Sequence, residues 1–385
     1  MTTASVNPES AVKDAELVAA EQSAAPIKEG KRSFPHVAKR GSRIHLALIG
    51  IGIVAAVSVV AWGSSFGQFN QGQFTRVMIY AIAIAGLNVA TGYTGLVSVG
   101  HSAFFGLGAY TTGILIVKGG WSPESTFPVA LLVCFVAGLV VGLPALRIRG
   151  LYLAIVTLAF GVAFPELVAR FASLTGGASG LTIRRRMLAP PSWTGYTLGQ
   201  KGHWLYWLTV GILIIVMLVV HNLVRGSRFG LAMQAARDHE IAASASGVNL
   251  AAVKTLSFGV SGALTGLGGS LFAMYLGSLA ANDSFTLLNA IALLTGLVIG
   301  GESTRFGPIL GGLAVVYIPY YTSSIGQGQS AGVFFGVTLI VLVFVAPEGL
   351  TGWFIRIARK VLVIVPATPR PLPRAGEKTR EEVTP

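Results

Sequence analysis

Few residues in this chain have the types and spacing to do chemistry. The six histidines (His36, His45, His101, His203, His221 and His239) are scattered, with no HExxH and no i, i+4 pair to seat a metal. The single cysteine, Cys134, lies in an apolar run, so neither a disulfide framework nor a cysteine zinc site can be built, and Cys134 reads as core. No Gly-Lys-Ser or Gly-Lys-Thr occurs, so the chain has no Walker A loop of its own. There is no paired acid and no nucleophile-base arrangement. The chain reads as a non-catalytic protein with no metal and no cofactor.

Three segments nevertheless concentrate polar and small residues. The first runs from Gly86 to Tyr110 and holds Tyr93, Thr94, Ser98, His101, Ser102 and Phe104 among many glycines. Glycine lets helices approach closely and lets a helix break where it faces a cavity. These residues read as a broken helix lining a polar path at mid-membrane depth. The second runs from Leu293 to Gly312. Pro308 suits a helix's first turn, so one helix should end near Gly301 and the next begin near Gly307. Gly300, Gly301, Glu302, Arg305, Gly307 and Pro308 then form a turn, with Glu302 and Arg305 able to pair, and Gly307 and Gly311 make a close-packing GxxxG face. Thr295, one turn before this break, joins the candidate path.

The third segment, Gly226 to Asn249, is Ala-rich and helix-favouring from Leu231 to Ser246, with Gly247 as its C-cap. Phe229, Met233 and Ala236 share a helical face that Glu240 continues, and Arg237 and Glu240 are spaced to pair. Thirty residues of structured loop exceed what a connection needs, which suggests a docking partner.

The elements that position these segments follow from composition. Apolar residues make up 53% of 385, charged residues only 11%, and the net charge is +13. A water-facing surface needs about a quarter charged residues, so a soluble enzyme is excluded. Basic residues are not interleaved with aromatics on one surface, so nucleic acid is not a partner. The fold class is an all-α polytopic membrane protein. Runs of about 20 apolar residues give ten spans: 44–62, 77–95, 97–117, 127–146, 151–169, 204–224, 255–279, 286–301, 307–322 and 331–348. The domains are a disordered N-terminal tail (1–43), a transmembrane domain (44–350) holding a cytoplasmic loop (225–254), and a C-terminal tail (351–385). Seven of the 28 Lys and Arg precede residue 44 and seven follow residue 355. That places both tails in the cytoplasm. Loop cations divide evenly, with Arg76 counted in an external loop.

Glu166 is the one carboxylate inside an apolar run, near the outer end of its span. Arg184, Arg185 and Arg186 lie in the longest external loop and could meet an acidic partner.

In order and spacing, these segments resemble the permease family of bacterial branched-chain amino acid ABC importers, particularly its LivM-type half. Gly86 through Phe104 meets the family's Gly-Leu-Asn…Gly-Tyr-x-Gly-x-x-Ser-x-Gly-His-x-x-Phe pattern. Leu146 through Gly150 and Thr157 through Phe160 meet its Leu-Arg-x-Arg-Gly…Thr-Leu-Ala-Phe stretch. Arg228, Phe229, Gly230, Glu240, Ala242, Ala243 and Gly247 meet its coupling-loop pattern. Gly300, Gly301, Gly307, Pro308, Leu310 and Gly311 meet its turn. The resemblance covers roughly residues 75–350. It implies a second permease half, two cytoplasmic ATPase subunits and an extracytoplasmic solute-binding protein. It also implies that Arg228, Phe229, Gly230, Arg237, Glu240, Ala243 and Gly247 belong to a helix docked on the ATPase.

Spans two to five and seven to ten are offset by five crossings, so an internal repeat would be inverted in the membrane, with the two Gly-rich breaks facing each other across the pathway. Close relatives carry urea or short amides, and an ion-coupled secondary transporter is the rival of another class. The long basic N-terminal tail lies outside the resemblance.

Overall fold

The computed structural model describes residues 67–325 except Arg147 and Arg149, residues 348–365, a strand at 36–39, and isolated positions within 58–65 and 333–346. The chain divides into two compact units. One comprises Met1–His45 with Arg359–Pro385; in it His36–Lys39 pairs in parallel with Leu362–Val365. The other is Leu46–Ala358 and contains the helical bundle.

The bundle's helices are α1 (Gln68–Asn88), α2 (His101–Val117), α3 (Phe127–Gly142), α4 (Leu151–Arg170), α5 (Lys201–Arg225), α6 (Arg228–Asp238), α7 (Glu240–Ala245), α8 (Leu250–Leu276), α9 (Leu287–Gly300), α10 (Gly307–Ile325) and α11 (Gly349–Val361). Five stretches among the described residues are long and apolar enough to cross a membrane: Gln68–Tyr93, Pro123–Gly142, Tyr152–Arg170, Leu198–Arg225 and Leu250–Leu276. Helices α2 and α9 are shorter apolar helices. The expected spans from 77–95 to 307–322 therefore each correspond to a helix. Those at 44–62 and 331–348 fall mostly outside the described residues, as do most of 1–43 and the chain beyond 365.

Helix α8 is the bundle's centre, packing on α3, α2 and α1. Small residues allow this. A Cβ on Gly269 would stand 1.8 Å from the Phe105 carbonyl oxygen, and one on Gly108 would stand 2.0 Å from that of Gly266. Backbones in such contact exclude lipid and gain dispersion energy over their whole length. Two hydroxyls on α8 bond to a neighbouring backbone: Ser261 Oγ donates to Gly86 O at 2.6 Å and Thr265 Oγ1 to Ala83 O at 3.2 Å. Cys134 is buried in the core, as read from its surroundings in sequence.

Three of the boundaries that differ from the sequence reading bear on the candidate site or on Arg76. The second span starts at Gln68, nine residues before the expected 77, because Gln71, Thr75 and Arg76 are taken up by protein contacts rather than by lipid. Arg76 thus sits inside a helix and not in a loop. The third span loses its first residues: positions 94–100 are not helical and α2 begins at His101. The loop helix expected over 231–246 is two helices that start earlier, at Arg228, and break at His239, whose extended backbone (φ −157°, ψ 98°) caps α7.

Candidate functional site

The first Gly-rich segment is unwound in stages. Helix α1 widens into a π-turn at Val89–Tyr93, and the chain then runs irregularly to His101. π-Turns in helices frequently mark functional sites because they release backbone groups from the regular ladder. Here the released groups are met by the second segment. Ser303 N donates to Asn88 Oδ1 at 3.0 Å, Ser303 Oγ donates to Gly92 O at 2.6 Å, and Asn88 Nδ2 donates to Thr304 O at 3.2 Å. A Cβ on Gly92 would fall 1.8 Å from Asn88 Oδ1, so only glycine fits this clamp. Ser303 itself holds φ 57°, a left-handed conformation costly for a non-glycine residue. Its three hydrogen bonds over-determine it, the third coming from Arg237 Nη1.

Helix α9 ends at Gly300 and α10 begins at Gly307 with Pro308 in its first turn, as the sequence indicates. Gly311 packs where a Cβ would meet Gly296 O at 2.2 Å. Gly301 takes φ 105°, and Thr351 Oγ1 of α11 donates to Gly300 O at 2.6 Å. Glu302 and Arg305 are exposed in the turn between.

Ser98, His101, Ser102 and Phe104 are brought together, but deep inside the chain. His101 is 1% exposed. Its Nδ1 is 2.8 Å from Ser98 Oγ and its Nε2 is 2.6 Å from Ser261 Oγ. This relay ties the unwound segment to α8 and, through Ser261, back to Gly86. Phe104 stacks beside His101 and Phe160, and Ser102 Oγ is buried without a hydrogen bond. Thr94 is buried, its hydroxyl donating to Val89 O. Tyr93 lies elsewhere, lining a cavity of about 210 Å³ with Arg225, Arg237 and Arg305. Thr295 is carried separately and half-buried on α9.

In the loop, Ser227 Oγ caps α6 by accepting from Gly230 N at 3.0 Å. The Met233 and Ala236 stripe is buried against the bundle, at 0% and 3% exposure. Gly230 packs where a Cβ would meet Leu223 O at 2.3 Å. Arg237 and Glu240 fall on different helices, so the helical i, i+3 pairing expected of them has no continuous helix to act on. Glu240 accepts instead from Lys254 Nζ at 2.6 Å, a lysine only 4% exposed. Ala243 is buried, and Gly247 closes α7 with φ 83°. The outward face is mixed: Arg228, Gln234, Asp238 and Ser244 are exposed there, and among them Leu231 is 66% and Ile241 71% exposed. Leu231 and Ile241 lie off the Phe229, Met233 and Ala236 stripe, so periodicity gave them no role.

At the other end of α1, Arg76 lies over the Tyr80 ring at 5.8 Å, and Tyr80 Oη donates to Asn289 Oδ1 at 3.2 Å. Arg76 Nε is buried without a hydrogen-bond partner. Nearby, Arg185 of the expected basic triplet lines a cavity of about 590 Å³ with Gln71, Lys201 and Tyr275. Glu166 is exposed on α4.

The model of the branched-chain amino acid transport system permease component matches residues 72–346. The permease protein LivM of Salmonella typhimurium is 31% identical over 282 residues, covering 68% of this chain and 65% of that protein. LivM of Escherichia coli K12 is 30% identical over 286 residues, covering 69% and 66%. LivH of the same strain is 22% identical over 305 residues, covering 74% and 96%. The chain thus spans about two thirds of the length of the LivM proteins it matches. No solved structure matches. With the glycine-broken helices and the two-helix loop all inside the matched range, the chain belongs to the family of branched-chain amino acid transport system permease components.

Proposed function

We propose that the chain is the transmembrane permease subunit of an ABC importer in the cytoplasmic membrane, moving branched-chain amino acids by alternating access. The observation that carries this reading is the loop. One face of α6 and α7 is buried in the bundle, while Leu231 and Ile241 are left exposed beside a rigid ion pair. A short pair of helices that presents Leu231 and Ile241 among polar residues fits a groove on an ATPase. The partners are a second permease of this family, two ATP-binding subunits and an extracytoplasmic solute-binding protein, with both termini of this chain cytoplasmic. Of the residues expected along the pathway, Ser98, His101, Ser102 and Phe104 are buried and would position its wall rather than face the solute, while Tyr93 lines a cavity and Thr295 stands apart on α9. The breaks at positions 94–100 and 301–306 are the hinges of an inverted pair of helix bundles. The second break is bonded to Asn88 and to the π-turn that leads into the first, so the two Gly-rich segments touch there rather than face each other across a pathway.

Arg76 favours an amino acid over urea or a short amide. A guanidinium within a spanning segment demands an anion or a water-filled site, and the ion pairs among the described residues, Lys254–Glu240 and Arg356–Glu348, involve other cations. The solute's carboxylate supplies the missing charge; a neutral amide would not. An ion-coupled transporter would instead need a buried carboxylate, and Glu166 faces outward.

The test is reconstitution. The four-component complex with its receptor should concentrate labelled leucine in proteoliposomes only with ATP, and the lone chain should concentrate nothing. Uphill flux from the lone chain on a proton or sodium gradient would establish the rival.

A further inference from the structure

Two cavities meet at the end of the bundle that carries the loop. The first, about 210 Å³, is polar and is lined by Tyr93, His221, Arg225, Arg237, Asp238 and Arg305 among others. The second, about 660 Å³, is an open and mainly apolar groove between Phe306, Ile309 and Leu310 on one side and Phe354 and Ile355 of α11 on the other. Arg225, Ser303 and Arg305 line both.

Their level relative to the bilayer follows from the helices. Arg225 ends α5, whose 25 residues rise about 37 Å, enough to cross the hydrocarbon core. Helix α9 ends and α10 begins at the same edge. Helix α11 then exposes Trp353, Phe354, Ile355 and Ile357 together with Arg356. Exposed apolar side chains beside basic ones suit a helix lying in the membrane interface. The groove is therefore greasy where acyl chains reach and cationic where headgroups sit. Basic pockets between spanning helices on the cytoplasmic side are suited to acidic lipids.

We propose that this groove binds an anionic phospholipid of the cytoplasmic leaflet, its acyl chain against Phe306, Ile309, Leu310, Phe354 and Ile355 and its phosphate between Arg225 and Arg305. The leaflet follows from the orientation given under Proposed function; the lipid chemistry does not depend on it. A soluble phosphate or an acidic protein segment would use the guanidinium groups and leave the apolar groove unfilled. Asp238 is the acid among the lining residues and faces three arginines there. Because Arg237 lines the same polar cavity and bonds Ser303, a headgroup there bears directly on the coupling loop.

The experiment uses the assembled complex, delipidated in mild detergent and supplied with phosphatidylglycerol or phosphatidylcholine of identical acyl chains, with bound lipid counted by native mass spectrometry. Phosphatidylglycerol is retained in preference to phosphatidylcholine. Arg225→Gln and Arg305→Gln each weaken retention about fivefold, and Leu310→Trp weakens it by filling the groove without changing charge. Equal retention of both lipids overturns the proposal, and displacement by glycerol 3-phosphate as readily as by the lipid assigns the site to a soluble anion instead. Should the variants not assemble, the unmodified complex is labelled with phosphatidylglycerol carrying a photoactivatable acyl chain. Adducts on peptides holding Ile309–Leu310 and Phe354–Ile355 are expected. Adducts confined to other peptides, or no adducts there because an ATPase segment covers them, count against it. Lipid retention is read without any solute uptake, so a failure of transport and a failure of lipid binding are distinguishable.

Discussion

Arg237 donates a hydrogen bond to Ser303 Oγ, and that hydroxyl donates in turn to Gly92 O. Three regions distant in sequence (the loop helix α6, the turn before α10 and the π-turn of α1) are thereby joined through one side chain. Two consecutive hydrogen bonds thus link the loop to the unwound segment. Ser303→Ala leaves Gly92 O and the guanidinium short of a partner, costing about 1–3 kcal/mol. Uptake should fall while ATP hydrolysis per complex persists, measured together in proteoliposomes. Uptake and hydrolysis both at the unmodified level would show that the link carries nothing.

Gly92→Ala should be far more damaging than its size suggests, since the new Cβ would overlap Asn88 Oδ1 at 1.8 Å. Gly211→Ala, on the open side of α5 with nothing within 4 Å, serves as the control. It should be neutral or stabilising by about 1 kcal/mol, because alanine favours helix over glycine. Fluorescence-detected gel filtration after heating compares the two. Equal melting would contradict the clamp.

The Lys254–Glu240 pair holds α7 onto the start of α8. Removing one partner strands a largely buried charge, and Glu240→Gln or Lys254→Met should each cost about 3 kcal/mol. The double variant should recover part of that loss. Additive losses in thermal unfolding would mean the two charges do not depend on each other.

Leu231→Asp and Ile241→Asp lie on open surface, so the permease itself should change by no more than about 0.5 kcal/mol. Co-purification of the ATPase subunits should nevertheless be lost. Gly247→Arg, at a left-handed position with open space around it, should abolish uptake and leave solute binding to the external receptor intact. ATPases that still co-purify with Leu231→Asp and Ile241→Asp would remove the docking assignment.

Arg76→Gln should lower leucine uptake at least about tenfold, the loss of one charge-assisted hydrogen bond of roughly 1.5–3 kcal/mol, with receptor affinity unchanged. Arg76→Lys should recover part of it. Equal uptake by Arg76→Gln would place the carboxylate contact elsewhere.

Local chemistry made much of this legible before any coordinates. Pro308 suits a helix's first turn and follows Gly300, Gly301 and Gly307, so the turn ahead of it could be placed to within a residue; proline alone would not have sufficed, since Pro165 and Pro319 lie inside helices. Gly247 stops a helix by its left-handed backbone, and the apolar runs read as helices because, of the two structures that satisfy a backbone in lipid, barrel strands are shorter than these continuous runs. Arg76 reads as a loop residue because it is a cation at the edge of an apolar run; in the structure it lies within α1, over the ring of Tyr80 one turn on. Leu231 and Ile241 stayed invisible because exposure depends on which face the bundle claims first. Ser303 carried no signal at all: its partners, Asn88 and Gly92, lie more than two hundred residues away. The course of most helices and the break ahead of Pro308 follow from single residues and their near neighbours, whereas the break at His239 does not. Which segments touch, which polar groups are spent on internal bonds and which remain for partners depend on distances between segments remote in the chain, and no local rule encodes those.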